Sequence, residues 1–335
     1  MRETDTFIVG QGIAGSMVAY MLYLQQVPFM VIDPGNINTA SRIAAGMFTP
    51  ISGKRKTIQP LVLQQISFAI KTYKAIEYLT GCSFLHLDNV YQVYNGASEQ
   101  NDWIVKSAKC DYSNFILTSS PNRLPNIKQE MGACEITNSG WVDCGSMISG
   151  FADWLNRNGA LITAEFIYSD LHIDKDAMEY HGIKFKNIIF CEGYQAVNHP
   201  FFKENIIPCK GDMLTIQCDQ PAMNRIIKKN SIYVVEKANG IFKAGSTYHW
   251  NNNNVKPDEA DKALLEVQLK ALLEKCYRVI DHQSAIRPTT KNREVIARQH
   301  PENARMFMLN GMGTKGILQA PWWADRLVKS KIVNQ

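Results

Sequence analysis

Within its first 33 residues the chain carries a short apolar strand, Phe7-Ile8-Val9, then a glycine turn, Gly10-Gln11-Gly12-Ile13-Ala14-Gly15. A run readable as a helix follows (Met17, Val18, Tyr20, Met21, Leu22, Leu24), and a second apolar run, Phe29-Met30-Val31-Ile32, closes on Asp33. This order predicts a β-α-β unit built to receive a dinucleotide. Gly10 permits the tight turn, Gly12 lets backbone N–H groups approach a pyrophosphate, and Gly15 lets the helix lie close to the strand. Unpaired N–H groups and a partial positive charge at the helix start suit the phosphates, and Asp33 is placed to accept from a ribose hydroxyl. The unit by itself does not distinguish NAD from FAD.

At 335 residues the chain can bury a large core in one large or two interleaved domains. An apolar fraction of 45% and a charged fraction of 20% are those of a globular protein, with no repeat or low-complexity tract. The formal charge of +5 is mild, and Lys54-Arg55-Lys56 and Lys228-Lys229 are the only tight basic clusters. Such runs are usually solvated surface, so charge does not indicate a nucleic-acid partner. The eight cysteines have no metal-type spacing and read as reduced thiols. A first strand so close to Met1 leaves no room for a signal peptide, and the apolar stretch Ile8–Ile32 is broken by glycines, Gln25-Gln26 and Pro28. A cytoplasmic enzyme without a membrane segment is expected, its oligomeric state unspecified.

Further along, small residues dominate Thr39-Ala40-Ser41-Arg42-Ile43-Ala44-Ala45-Gly46-Met47, which suits backbone lying against a flat ligand. A helix is predicted from about Pro60 to Leu79, with Val62, Ile66, Ala69, Tyr73 and Ile76 as its buried stripe. Strands are expected between Cys82 and Gly96, and a helix over about Ser146–Asn156 that stops at Gly159. Strands follow at Leu161–Asp170, at Lys186–Cys191 and through Cys209–Thr247. A long helix is predicted from about Pro257 to Tyr277, with Lys275 and Arg278 late, as the helix dipole favours. Met306–Leu309 reads as a last strand before Gly311-Met312-Gly313-Thr314-Lys315-Gly316 and a closing helix through Val328.

That second glycine turn repeats the physics of the first, and its backbone donors could hold an anion or a developing negative charge. Upstream lies Arg287, before Pro288 in an apolar setting. Guanidinium suits bidentate carboxylate recognition, and a structural ion pair is the other reading of such a residue.

Several motifs in order identify the chain as resembling the D-amino-acid oxidase superfamily of flavoproteins, most closely its glycine oxidase type. They are the N-terminal fingerprint, Ser41 with Ala44–Met47, Gly140-Trp141-Val142-Asp143, Ile188–Tyr194 and Lys210-Gly211-Asp212. Tyr233-Val234-Val235, Gly245-Ser246-Thr247, Ile286-Arg287-Pro288, His300-Pro301-Glu302 and Asn310–Pro321 complete the set, which spans nearly the whole chain. The fold implied is α/β: a Rossmann-like FAD-binding domain (1–81, 141–200, 284–335) with a discontinuous α+β substrate domain on an antiparallel sheet (82–140, 201–283).

The resemblance implies noncovalent FAD and oxidation of a small amine or amino acid: glycine, an N-substituted glycine or a small D-amino acid. Hydride would pass from the α-carbon to flavin N5, and the resulting imine would hydrolyse. Carried onto this sequence, Arg287 pairs with the substrate carboxylate and Tyr233 hydrogen-bonds to it. Cofactor contacts fall to Gly10, Gly12, Ile13, Ala14, Gly15, Asp33, Ser41, Ala45, Gly46, Met47, Phe166, Cys191 and Gly193. They continue with Arg287, Gly311, Gly313, Thr314, Lys315, Gly316 and Ile317, the last turn stabilising charge at the flavin N1–C2=O edge. No Ser-His-Asp set, carboxylate pair or metal cluster demands a role, as expected where a flavin takes the hydride and the protein orients and balances charge.

Some positions depart from the family pattern. Val295 and Ala297-Arg298 stand where a proline and a glycine are usual, and Glu192 where a small or neutral residue is common. No cysteine lies between Arg287 and Thr314, against a covalent flavin of the sarcosine oxidase kind. The chain is also similar to the flavin domain of bifunctional enzymes that act on carboxymethylaminomethyl-uridine in tRNA, whose substrate is itself an N-substituted glycine. A third reading is a flavin-binding protein without amine oxidation; loss of Arg287 or Tyr233 would have favoured it, and both are present.

Overall fold

Thr6–Val9 (β1) is buried along its whole length, because both faces of the sheet it belongs to are covered. The computed structural model describes residues 2–53, 55–118, 123–218, 226–238 and 240–333, so Lys54 of the basic cluster lies outside the described residues. After β1 come Ile13–Leu24 (α1), Phe29–Asp33 (β2), Val62–Thr80 (α2), Cys144–Arg157 (α3), Leu161–Thr163 (β3) and Asn187–Phe190 (β4). Next are Ile206–Gln217 (β5), Ile226–Lys229 (β6), Ile232–Ala238 (β7), Ile241–Gly245 (β8), Glu259–Leu272 (α4) and Arg278–Thr290 (β9). Ile296–Gln299 (β10), Met306–Asn310 (β11) and Gly316–Val328 (α5) close the fold.

The first sheet has the order β3-β2-β1-β4-β11-β10, parallel except for its last pair. The two-residue period of a strand sorts its side chains. Ile8, Val31, Ile189, Phe307 and Leu309 face α1, α2, α3 and α5. Phe7, Val9, Met30, Ile32, Ile188, Phe190 and Met308 face a small antiparallel layer of Leu171–Ile173, Met178–Tyr180 and Ile183–Phe185. Phe7 stacks on Phe185 at 4.7 Å between ring centres.

The expected strand Leu161–Asp170 is therefore only its first three residues. Beyond Thr163 the chain leaves the sheet so that Phe166 can join Phe7, Tyr180, Tyr168 and Phe190 in an aromatic cluster. α5 contains Pro321, which has no N–H to give the Ile317 carbonyl one turn back. The hydroxyl of Tyr73, wholly buried on α2, donates to that carbonyl at 2.7 Å instead.

The second sheet is built on β5 and β9, antiparallel over their whole length, and continues from β5 through β8, β7 and β6 to Val90–Val93. α4 covers one face, with Leu265, Leu269 and Leu272 packed on Leu214, Val234 and Phe242. The helix predicted to Tyr277 ends at Leu272: Leu273 turns extended and bridges to Ile127, while Glu274 N–H donates to the Asn126 carbonyl. Lys275 and Arg278 thus lie past the helix, and Lys270 is the cation in its last turn. The boundary expected at residue 284 falls inside β9, so Arg287 sits on the second sheet and not on the parallel one. Between Gly96 and Ser113, where the sequence pattern is irregular, two helices form, Ala97–Ser107 and Cys110–Ser113, and of their side chains only Trp103 is buried.

Candidate active site

The first glycine turn is as tight as its spacing requires. Gly10 has φ +98°, and a Cβ there would stand 2.6 Å from the Cys191 carbonyl oxygen; a Cβ on Gly15 would overlap the Gly10 carbonyl. α1 begins at Gly12 with no side-chain cap and no acid in its first turn. Ser41, from the small-residue segment, reaches the same place: its hydroxyl accepts from Ile13 N–H at 3.0 Å. Asp33 accepts Gln11 N–H and Gly35 N–H, each at 2.7 Å, so it orders the turn beside which it would meet a ribose. Cys191 N–H donates to Val9 O, and Asn310 holds the Gly193 carbonyl at 2.9 Å, which fixes the end of β4 against this turn.

The second glycine turn meets the first. A Cβ on Gly316 would stand 3.3 Å from Ile13, and Gly313 N–H donates to the Pro288 carbonyl at 2.8 Å. Gly311 to Ile317 therefore lies between the start of α1 and the strand that carries Arg287. Lys315, at the start of α5, is half-buried, and burial together with Arg293 lowers its pKa. Thr314 is exposed, and Ile317 packs into the core beneath α5.

Ala45, Gly46 and Met47 approach from a third direction. Gly46 takes φ +71° with its backbone on Val142, and Met47 pairs with Trp141. Ala45 and Met47 share an apolar cluster with Met213, Ala285 and Tyr233 of the second sheet. Lys243 from β8 donates to the Ile43 carbonyl at 3.0 Å across the same gap, and burial lowers its pKa.

At the centre stands Arg287. Its side chain crosses β5 over Gly211, where any Cβ would overlap the guanidinium. One Nη donates to Ser246 Oγ at 2.6 Å and the other to the Thr247 carbonyl at 3.3 Å, while the Tyr248 ring lies 4.6 Å from the guanidinium carbon. Ser246 also hydrogen-bonds the Tyr233 hydroxyl, whose pKa burial and Tyr248 push up to about 12 against the opposing pull of Arg287. Among the described residues no carboxylate pairs with Arg287; the nearby acids, Asp212 and Asp261, are engaged by Lys210 and His282 and by His249. Of the two readings left open for Arg287, the internal ion pair is absent among the described residues.

The family described as FAD dependent oxidoreductase (DAO) matches residues 5–329. The chain belongs to the DAO family. It is an FAD-dependent oxidoreductase, and the residues present fit that cofactor: the first glycine turn has no room for a Cβ at Gly10 or Gly15, and the second meets it through Gly316 and Ile13, where the N-termini of α1 and α5 come together. Among curated relatives it is similar to a glycine oxidase of Bacillus licheniformis, 23% identical over 96% of this chain and 90% of that one. Its fold is that of glycine oxidase from Bacillus cereus ATCC 14579 (TM-score 0.85, 16% identity, 99% of this chain and 96% of that chain). It is also that of iminodiacetate oxidase from Chelativorans sp. BNC1 (TM-score 0.82, 17% identity, 98% and 95%).

The remaining predicted residues fall outside the gap or on its margin. The Phe166 ring is in the aromatic cluster, on the opposite sheet face from α1. Glu192, the departure from the family pattern, accepts from the Tyr168 hydroxyl at 2.6 Å, and its other oxygen lies 3.2 Å from His199 Nε2 without hydrogen-bond geometry, so one donor accommodates the unusual acid. Val295 packs against the main core and Ala297 pairs with Leu309. Sequence reasoning gave no individual role to Gly211, Ser246 or Tyr248; the Lys210-Gly211-Asp212 and Gly245-Ser246-Thr247 motifs contain the first two, and Tyr248 lies just beyond the second. Among the described residues there is no cluster that could hold a metal, every cysteine is a free thiol, and no helix is long and apolar enough to cross a membrane.

Proposed function

We propose that the chain oxidises the amine of glycine, an N-substituted glycine or a small D-amino acid. The observation that carries this reading is the Arg287 guanidinium, held by neutral partners and with no anion paired to it among the described residues. A half-buried cation without a counter-ion is unfavourable, and a substrate carboxylate completes it with charge-assisted, bidentate bonds. A flavin-binding protein that took no anionic ligand would have no use for that arrangement.

Bound FAD supplies the acceptor, at flavin N5, for the hydride leaving the substrate α-carbon. Arg287 fixes the carboxylate, and Tyr233, kept neutral by its raised pKa, is a second donor to it. Two fixed points on one carboxylate orient the α-carbon, which is the positioning such a transfer requires. Ala45, Gly46 and Met47 form the wall opposite; in the turn at Gly313–Gly316 the Gly313 and Lys315 N–H groups are bonded to the Pro288 and Met312 carbonyls, so the Thr314 and Gly316 N–H groups would meet charge that develops beside it. The amine becomes an imine, which water hydrolyses without a protein nucleophile. Free thiols throughout the described chain support a reducing, cytoplasmic setting.

An N-substituted glycine on a tRNA uridine would use the same guanidinium. Small free substrates are favoured because Lys56, from the basic cluster, is committed to Glu99 at 3.3 Å and to Asp102 at 3.7 Å.

The test is the visible spectrum of the FAD-loaded protein during anaerobic addition of glycine, sarcosine, iminodiacetate and D-alanine. Bleaching by one of them, lost in Arg287→Ala, supports the reading. Bleaching that survives Arg287→Ala removes the residue assignment, and a flavin none of them bleaches removes the substrate class.

A further inference from the structure

Resting on that reading of Arg287, we propose that Thr247 and Asp261 are positioning residues that aim its guanidinium at the substrate carboxylate. Three consecutive residues, Ser246 (Oγ), Thr247 (carbonyl) and Tyr248 (ring), hold the guanidinium from one side, and the Cys209 thiol of β5 meets it from another. The three leave β8 after Gly245 and belong to no strand or helix, so their geometry rests on individual bonds, from side chains as well as from the backbone. The anchor is Asp261, in the first turn of α4 and 5% exposed. Its Oδ2 accepts from the Thr247 hydroxyl at 3.0 Å, and its Oδ1 lies 2.6 Å from His249 Nε2. One carboxylate thus grips residues 247 and 249 on either side of Tyr248. The Thr247 hydroxyl also accepts Asp212 N–H at 2.9 Å, and Thr247 N–H donates to the Asp212 carbonyl at 3.3 Å, which ties the loop to β5.

Capping does not account for Asp261, because Asp258 already caps α4 through Ala260 N–H. A pair of bonds from Asp261 reaches the loop, and the loop's opposite side reaches Arg287. The carboxylate also stands one residue removed from the guanidinium: close enough to order its partners, and without an ion pair that would neutralise it.

The experiment measures glycolate, an unreactive carboxylate analogue, by its perturbation of the flavin spectrum in the FAD-loaded protein. Thr247→Val removes the hydroxyl at constant shape and is expected to weaken glycolate by about tenfold. The loss should reappear in KM and be far smaller in the limiting rate of flavin reduction. Thr247→Ser keeps the hydroxyl and should recover the affinity. Asp261→Asn should weaken glycolate in the same direction, and its effect should be less than additive with Thr247→Val, as for members of one network. Glycolate bound as tightly by Thr247→Val as by the parent overturns the proposal, as does a Thr247→Ser no better than Thr247→Val. Arg287→Lys measured alongside separates the two levels. If it too leaves glycolate binding intact, the carboxylate role of Arg287 falls; if it abolishes binding while Thr247→Val does not, only the positioning role falls.

Discussion

The Arg287 guanidinium occupies the volume that a side chain at Gly211 would need, so the strand beside the arginine is cut away to let it cross. The glycine is required by its neighbour's reach and not by its own backbone angles. A bulkier residue would leave the fold intact and move the cation.

Gly211→Ala should therefore act on binding more than on stability. The guanidinium is the mobile end of a long side chain and can shift, at the expense of its bonds to Ser246 and Thr247. Substrate affinity is expected to fall by about tenfold, equivalent to ~1.4 kcal/mol, with flavin content and the unfolding midpoint close to those of the parent. Titration of the flavin spectrum with substrate beside a thermal melt checks both halves.

Gly15→Ala should have the opposite profile. Its Cβ would meet the Gly10 carbonyl, a backbone atom that cannot step aside. Overpacking of this kind costs ~1–3 kcal/mol and here forces α1 off the glycine turn. The protein should purify with little flavin, read as the ratio of flavin to protein absorbance, and retain its far-ultraviolet dichroism.

Tyr73→Phe tests the join between α2 and α5. Without the hydroxyl, the Ile317 carbonyl has neither Tyr73 nor the N–H that Pro321 lacks. A buried unsatisfied acceptor costs ~1–3 kcal/mol, and urea denaturation should show a loss of that size. Adding Pro321→Ala supplies an N–H at the missing place and should recover part of it.

Tyr233 carries a signature in alkaline stability. Burial first, then Tyr248, raise its pKa from the ordinary 10.0 to about 12. Between those values the unfolded chain has released the phenolic proton and the folded chain has not. The unfolded state then binds fewer protons, so stability falls as pH rises from 10 toward 12. Tyr233→Phe should show a shallower decline over that window in melts of the two proteins side by side.

Much of this site was legible before any coordinates. The strand, glycines, helix and acid between Phe7 and Asp33 form one local unit, and the strand-turn-helix at Met306–Val328 forms another. Local units carry their geometry in their spacing. Arg287 was recognisable as an isolated guanidinium, though not as one without an anion, since absence of a partner is a property of the folded surroundings. Ser246, Tyr248 and Asp261 were out of reach for a related reason. Ser246 and Thr247 meet Arg287 across about 40 positions of chain, and nothing periodic announces such a meeting. The aromatic layer around Phe166 and the early end of α4 were misread because tertiary burial, not local preference, decides where those segments turn.

The two glycine turns that touch through Ile13 and Gly316 have most of the sequence between them. Synthesis runs from one end to the other, so the first turn is complete long before its counterpart exists. Until Met306–Asn310 slots in beside Asn187–Phe190, the parallel sheet has an open apolar edge and the cradle only one side. Capture of the cofactor thereby waits until Gly311–Gly316 has been made, and a chain that stops short of that turn is one that cannot be charged with flavin.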